Sequence, residues 1–148
     1  MADICPNIKV KEIVCPHVYA KWGEKAIRFI DPNLRSVLDV VRNKILKRPI
    51  RINNGSSFTQ RGLRCNVCQL VADKTKAGKV YLSAHNLGKG CDFDCPGLTV
   101  QQVHDLIKKN WRLLPCKIRL ESPTDAPTWT HIDVITEEQT EAVYVFRA

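Results

Sequence analysis

Several features are scarce in this chain, and each scarcity closes a route. No apolar run approaches the length of a membrane-spanning helix, so no transmembrane segment is expected. The N-terminus, Met1-Ala2-Asp3-Ile4-Cys5-Pro6, has no basic head followed by a greasy stretch, and no secretory signal is read there. Synthesis in a cytosol is the expectation. Repeats and low-complexity linkers are missing, which excludes solenoids and arrays. Aromatic residues make up only 7% of the chain and rarely interleave with its basic clusters, which counts against a surface that stacks bases.

Acidic residues are in the minority too. Against 15 Asp and Glu stand 23 Lys and Arg, for a net charge of +8. The basic residues come in short clusters, "KVKE", "RNKILKRPIR", "KTKAGK" and "KKNWR". Any one of them reads as a solvated face, but together they create a positive field that attracts a polyanion. Nucleic acid, an anionic cell wall and a membrane surface all answer that description, and charge alone does not choose among them. What is present in quantity is apolar residue: 44% over 148 residues, enough for one domain with a real core. Nothing in it demands more than a monomer.

Seven cysteines are an odd number for a disulfide framework in a chain without an export signal, so reduced thiols packed as small hydrophobes are expected. Cys65 and Cys68, in "RCNVCQ", have zinc-ribbon spacing, but no second CxxC follows. Cys15 and His17, in "VCPHVY", would complete a structural site with Cys5, although the spacings fit no standard ligand scheme.

The patterning is mixed α and β. In "DPNLRSVLDVVRNKIL", Asp31 caps, Pro32 suits the first turn, and Leu34, Val37, Leu38, Val41 and Ile45 share one face. "LTVQQVHDLIKKNW" is a second helix with a Thr99/Gln102 capping box. Its His104 reads as a surface or edge residue. "NVCQLVADKTKAG" reads as a helix closed by Gly78, and "PIRINN" and "KVYLSAH" read as strands. Three further strands, in "CKIRLES", "TWTHIDVI" and "AVYVFR", end the chain.

In "TWTHIDVI", alternation puts Trp129, His131 and Asp133 on the face opposite Ile132. In "YLSAHNLGKGCDFD", two glycines permit a tight reversal between His85 and Asp92. Two histidines and an aspartate make a three-ligand zinc set that leaves a position for water. Read from these residues alone, a polar turn and a hydrogen-bonded strand histidine are the more ordinary readings, and the ligand set needs something more specific.

"SAHNLGKGCD" resembles the SxHxxGxAxD motif of the zinc peptidase family of D-Ala-D-Ala carboxypeptidases and L-alanyl-D-glutamate endopeptidases. Ser83, His85, Gly88 and Asp92 are in register, with Gly90 where the family usually has alanine. "WTHIDV" is similar to the family's closing W-x-H-x-D strand, and "RGLRCN" to the segment carrying its transition-state arginine, here Arg64. "FIDPNLRSVLDVVRNKILKRPIRIN" is similar to the family's approach to that arginine loop. The resemblance spans about residues 8–136 of a single 1–148 domain.

The resemblance implies an α+β fold shared with the hedgehog signalling domain, an antiparallel sheet carrying zinc and backed by helices. It implies Zn²⁺ on His85, Asp92 and His131, and hydrolysis of a stem-peptide or crosslink bond in bacterial peptidoglycan. Arg64 would stabilise the oxyanion, Ser83 and Trp129 would meet substrate, and Asp133 would orient His131 from behind. Many short, signal-free members are phage or prophage endolysins that reach the wall through a holin, and the anionic wall suits the positive field.

One departure concerns the base. Many members carry an acidic residue three positions before the last histidine, where this chain has Thr128; others have a histidine where it has Trp129. Glu121, on the strand expected to pair with "TWTHID", is the favoured substitute, and Asp125 in the intervening loop is the second choice. Two other classes answer to the same residues. One is a noncatalytic zinc-binding module that docks on the wall. The other is a basic nucleic-acid-binding protein with a cysteine-bound structural zinc.

Overall fold

Period-two alternation divides the later half of the chain into a greasy sheet face and a charged one, and the helices cover only the first. The computed structural model describes residues 3–148. The chain opens with a two-stranded ribbon, β1 (Asp3–Cys5) and β2 (Ile8–Lys9). It continues through α1 (Val10–Ile13), α2 (Pro16–Trp22) and a 3-10 segment, Gly23–Phe29. Helix α3 (Pro32–Asp39) runs on as a π-helical stretch, Val40–Leu46. Then come α4 (Gln69–Lys76), β3 (Gly90–Phe93), α5 (Val100–Lys109), β4 (Ile118–Glu121), β5 (Thr130–Asp133) and β6 (Val143–Phe146).

The four later strands form one sheet in the order β3-β5-β4-β6. Pairing is antiparallel from β3 through β5 to β4, but β6 lies parallel to β4. The sheet is therefore mixed, where an antiparallel one was expected. The cause is the 134–142 connection, which passes the start of β4: the Gln139 amide donates to the Ile118 carbonyl (2.9 Å), and Lys117 donates to the Gln139 carbonyl (2.7 Å).

Cys91, Phe93, Leu120 and Ile132 fill the greasy face and are completely buried. Against them pack Leu34, Val37, Leu38, Val41 and Ile45, the helical face read from the sequence, together with Val103 and Ile107 of α5. Both expected caps are present. Asp31 accepts from the Asn33 N–H (2.7 Å), and the Thr99/Gln102 box closes reciprocally at 3.1 and 2.8 Å. Helix α4 ends as expected, with Gly78 in the left-handed region (φ 68°) just beyond it.

Two expected strands do not form. "KVYLSAH" has no ladder partner, and Val80 and Leu82 are 91% and 78% exposed, so its alternation faces water instead of a core. "PIRINN" contributes one isolated bridge, Arg51 to Asp94. Beyond it a side chain takes over: buried Asn53 donates to the Val14 carbonyl (3.1 Å) and accepts from the Arg61 N–H (2.9 Å). These bonds tie the chain down without a ladder. Among the described residues no helix is long and apolar enough to cross a membrane.

His104 is a further correction. It is wholly buried in the layer beneath the sheet, and neither ring nitrogen has a hydrogen-bond partner among the described residues. Burial, reinforced by Lys108 against the weaker pull of Asp105, lowers its pKa to about 4. Because an unfolded histidine titrates near 6.5, the unfolded chain takes up a proton that the folded chain refuses. Stability should therefore fall as pH drops from about 6.5 towards 4. Thermal melts of wild type and His104→Leu across that window check this: the variant should lose less stability on acidification, and parallel pH profiles would contradict the assignment.

Candidate metal centre

The charged sheet face is built by register. Asp92 stands opposite His131 in the β3–β5 ladder, and Gly90 stands opposite Asp133. Across β5, Asp133 faces Arg119, so the next residue of β4 on the same face, Glu121, lies beside His131. On the parallel side Glu121 is in register with Phe146, whose ring meets the His131 ring edge-on at 5.8 Å.

His85 reaches the same place from a turn, not from a strand end as expected. Its Nδ1 lies 2.9 Å from the Gly62 carbonyl, an acceptor, so this nitrogen carries a proton and Nε2 is the ring atom turned towards Asp92. That Nε2 is 3.4 Å from Asp92 Oδ2, and His131 Nδ1 is 2.8 Å from Asp92 Oδ1. The two imidazole centroids are 5.2 Å apart. One donor atom from each of His85, Asp92 and His131 lies within 4.8 Å of the others, and all three residues are buried. Two imidazole nitrogens and one carboxylate in a closed space suit a divalent ion such as zinc.

The donors are themselves held. His131 Nε2 is 2.8 Å from Asp133 Oδ2, and Asp133 receives a two-pronged ion pair from Arg119 at 2.8 and 2.9 Å. A carboxylate behind a ligating histidine fixes the ring and raises its basicity. Burial works against a charged imidazole, but Asp133 and Asp92 together raise the His131 pKa to about 9. Burial would raise Asp92, yet His131 and His85 hold its carboxyl far below the usual range.

Arg64 lies at the rim with Nη2 3.5 Å from Asp92 Oδ2. Its Nε donates to the Gln60 carbonyl (2.6 Å) and its Nη1 to the Tyr81 hydroxyl (2.9 Å). The loop that carries it is strung across the molecule. The Leu63 N–H bonds the Ile13 carbonyl (2.7 Å), the Arg64 N–H bonds the His85 carbonyl (3.2 Å), and the Asp92 N–H bonds the Arg61 carbonyl (2.7 Å). Only glycine fits at 62, because a Cβ there would lie 2.0 Å from the Ile13 carbonyl oxygen.

The remaining expected residues divide. Glu121 is half-buried; burial, with Asp92 adding to it, raises its carboxyl above the ordinary range despite the pull of His131. Asp125 is turned towards the C-terminus, paired with Arg147 at 2.9 and 3.2 Å and with the Ala148 N–H. The Ser83 hydroxyl is spent on Asn86 Oδ1 (2.6 Å) within the His85 turn. Trp129 is half-buried in a bend before β5. Gly90, the departure from the motif's alanine, has a local reason: a Cβ would lie 2.7 Å from Ala84 Cβ and 2.9 Å from Asp133 Cβ.

Tyr81, Arg119 and Phe146 were missed by the sequence reading. Alternation does place Arg119 with Glu121 and Phe146 with Tyr144, but only the strand order reveals which face they join. A second group also converges, Cys15, His17, Cys65 and Cys68; Cys5 is not part of it. Cys5 packs in the main core instead, and all seven cysteines are free.

No family model, curated protein or solved structure matches this chain.

Because His131 is protonated below about 9, an entering metal ion must displace a proton. Zinc affinity at His85, Asp92 and His131 should therefore tighten about tenfold per pH unit between roughly 7 and 9. Competition with a chromogenic chelator, on Cys65→Ser/Cys68→Ser protein so that only this centre is read, gives the slope. A pH-independent affinity would contradict the protonation state.

Proposed function

We propose that this chain is a zinc peptidase of the D-Ala-D-Ala carboxypeptidase and L-alanyl-D-glutamate endopeptidase type, cleaving a peptide bond of bacterial peptidoglycan. The observation that carries the reading is the convergence of His85, Asp92 and His131, the three residues singled out by motif resemblance, onto one buried point. His85 and Asp92 flank one turn, and His131 joins them from a strand 39 residues beyond Asp92.

A zinc ion held by the three would polarise the scissile carbonyl and acidify a water molecule. The chain's own residues supply the rest. Glu121, with its raised carboxyl beside His131, takes the proton from the attacking water and passes it to the leaving amine. Arg64, anchored by Gln60 and Tyr81, offers its guanidinium to the charge that develops on the carbonyl oxygen. Asp133 and Arg119 keep the His131 ring from swinging. Glu121 is preferred to Asp125, whose carboxylate is committed to Arg147.

The net positive charge supports an anionic wall as the substrate surface. A noncatalytic wall-binding module would share the metal and the charge but would have no need of a carboxyl tuned upwards beside the ligands. Mass spectrometry of purified peptidoglycan digested with zinc-loaded protein, beside a chelated control, tests the proposal. New peptide termini should appear only with metal, and Glu121→Gln should lower turnover by about 10²–10⁴-fold while zinc is retained. Intact muropeptides in both samples would refute the peptidase reading.

A further inference from the structure

Helices α2 and α4 are poorly anchored by burial. No residue of α2 is buried, and α4 buries only Val71. The small cluster beneath them buries only Cys15, Cys68 and Val71, with Val18, Cys65 and Tyr81 partly buried against it, while Val18 and Tyr19 of α2 also touch the main core. So little apolar surface does not fix the relative position of two helices. What joins them is a set of soft donors. Cys15 is the residue before α2, His17 lies in its first turn, and Cys68 is the residue before α4. Cys65 precedes Cys68 by three in the intervening loop.

The geometry is that of a closed four-ligand centre. Cys65 Sγ lies 3.7 Å from His17 Nδ1, Cys68 Sγ lies 3.8 Å from the same nitrogen, and the two sulfurs are 4.0 Å apart. With Cys15 included, one donor atom from each residue lies within 4.8 Å of every other. Ligands bonded tetrahedrally to one zinc at about 2.0–2.3 Å stand roughly 3.3–3.8 Å from each other. The Cys65–Cys68 loop is closed on itself, with the Cys68 N–H bonded to the Cys65 carbonyl at 3.2 Å. Both thiols are free, with their sulfurs in contact at 4.0 Å.

We propose that Cys15, His17, Cys65 and Cys68 form a structural zinc site, separate from the centre at His85, that staples the start of α2 to the loop leading into α4. Three thiolates and an imidazole fill a tetrahedral shell, which leaves no position for substrate or water; the role is structural. Close by, the backbone already links the same two segments, with the Cys15 N–H bonded to the Leu63 carbonyl at 3.0 Å. The ion adds cohesion where the apolar contacts between the two segments are few. Nothing in this assignment requires the chain to be a peptidase.

Cobalt separates the two sites, because thiolate-to-cobalt charge transfer reports sulfur ligands and is silent for a centre of two histidines and an aspartate. In full-length His85→Ala/His131→Ala protein, reduced and loaded with Co²⁺, we expect one cobalt per chain, strong near-ultraviolet charge-transfer absorption and tetrahedral visible bands. Zinc should displace the cobalt and erase the spectrum. In Cys65→Ser/Cys68→Ser protein the charge-transfer band should vanish while the chain still binds one metal ion at the other centre. Chelation of the zinc-loaded His85→Ala/His131→Ala protein should lower its melting temperature by about 10 °C. Absence of a sulfur charge-transfer band in that protein, or its persistence in the cysteine variant, overturns the assignment. So does a Cys65–Cys68 disulfide in protein purified under reductant. The same sulfur charge-transfer band is expected in cobalt-loaded wild-type protein, where the His85 centre is intact and contributes none, so its absence there overturns the assignment even if either variant misfolds.

Discussion

The Asp92 carboxylate, placed between two imidazoles, is the interaction on which the remainder of the molecule depends. Buried carboxylates are costly unless their charge is answered, and here His131 and His85 meet its two oxygens at 2.8 and 3.4 Å. The arrangement is set by backbone pairing and not by side-chain adaptability. The β3–β5 register puts Asp92 across from His131, and a one-residue slip would send Asp92 into the greasy core and Cys91 into the site. Phe93, Leu120 and Ile132, all buried on the other face, are what make such a slip prohibitive.

From that pair the structure extends in two directions. Behind it, Asp133 and Arg119 fix the second nitrogen of His131, so its free nitrogen must face Asp92. In front of it, the loop through Gly62 and Arg64 supplies the carbonyl that sets the His85 tautomer and the guanidinium at the rim. The loop is hung by backbone hydrogen bonds from Ile13 on one side and from His85 and Asp92 on the other. Positions far apart in sequence thus share one rigid support, which a reactive centre needs if its groups are to stay within a few tenths of an ångström.

Much of this was legible in the order of residues, and what was not has physical reasons. Helices α3 and α5 announced themselves by caps and by apolar residues at helical spacing, and β4, β5 and β6 by alternation. The candidate set His85, Asp92 and His131 was singled out by resemblance, because spacing and periodicity alone left a polar turn and a structural histidine open. Long-range pairing was the blind spot. Alternation in "KVYLSAH" is the same whether a neighbour strand exists or not, and Val80 and Leu82 found none. The parallel placement of β6 depends on where the 134–142 connection runs, and so Phe146 was not connected with His131. His104 was taken for an edge residue because a polar side chain at a core position is costly; the fold bears that cost with both nitrogens unpaired among the described residues. For the cysteines, spacing drew notice to Cys65 and Cys68 and to Cys15 and His17 with Cys5; that the first four converge and Cys5 stays apart needed the fold.

The central claim is that one divalent ion sits among His85, Asp92 and His131. The most direct test is an anomalous-scattering map, measured at the zinc absorption edge, from crystals of zinc-loaded protein. The account predicts a strong peak bonded to His85 Nε2, an Asp92 oxygen and His131 Nδ1, with Asp133 still on the far nitrogen of His131. A map without density at that point in fully loaded crystals, or with the two imidazoles turned to other partners, would contradict it.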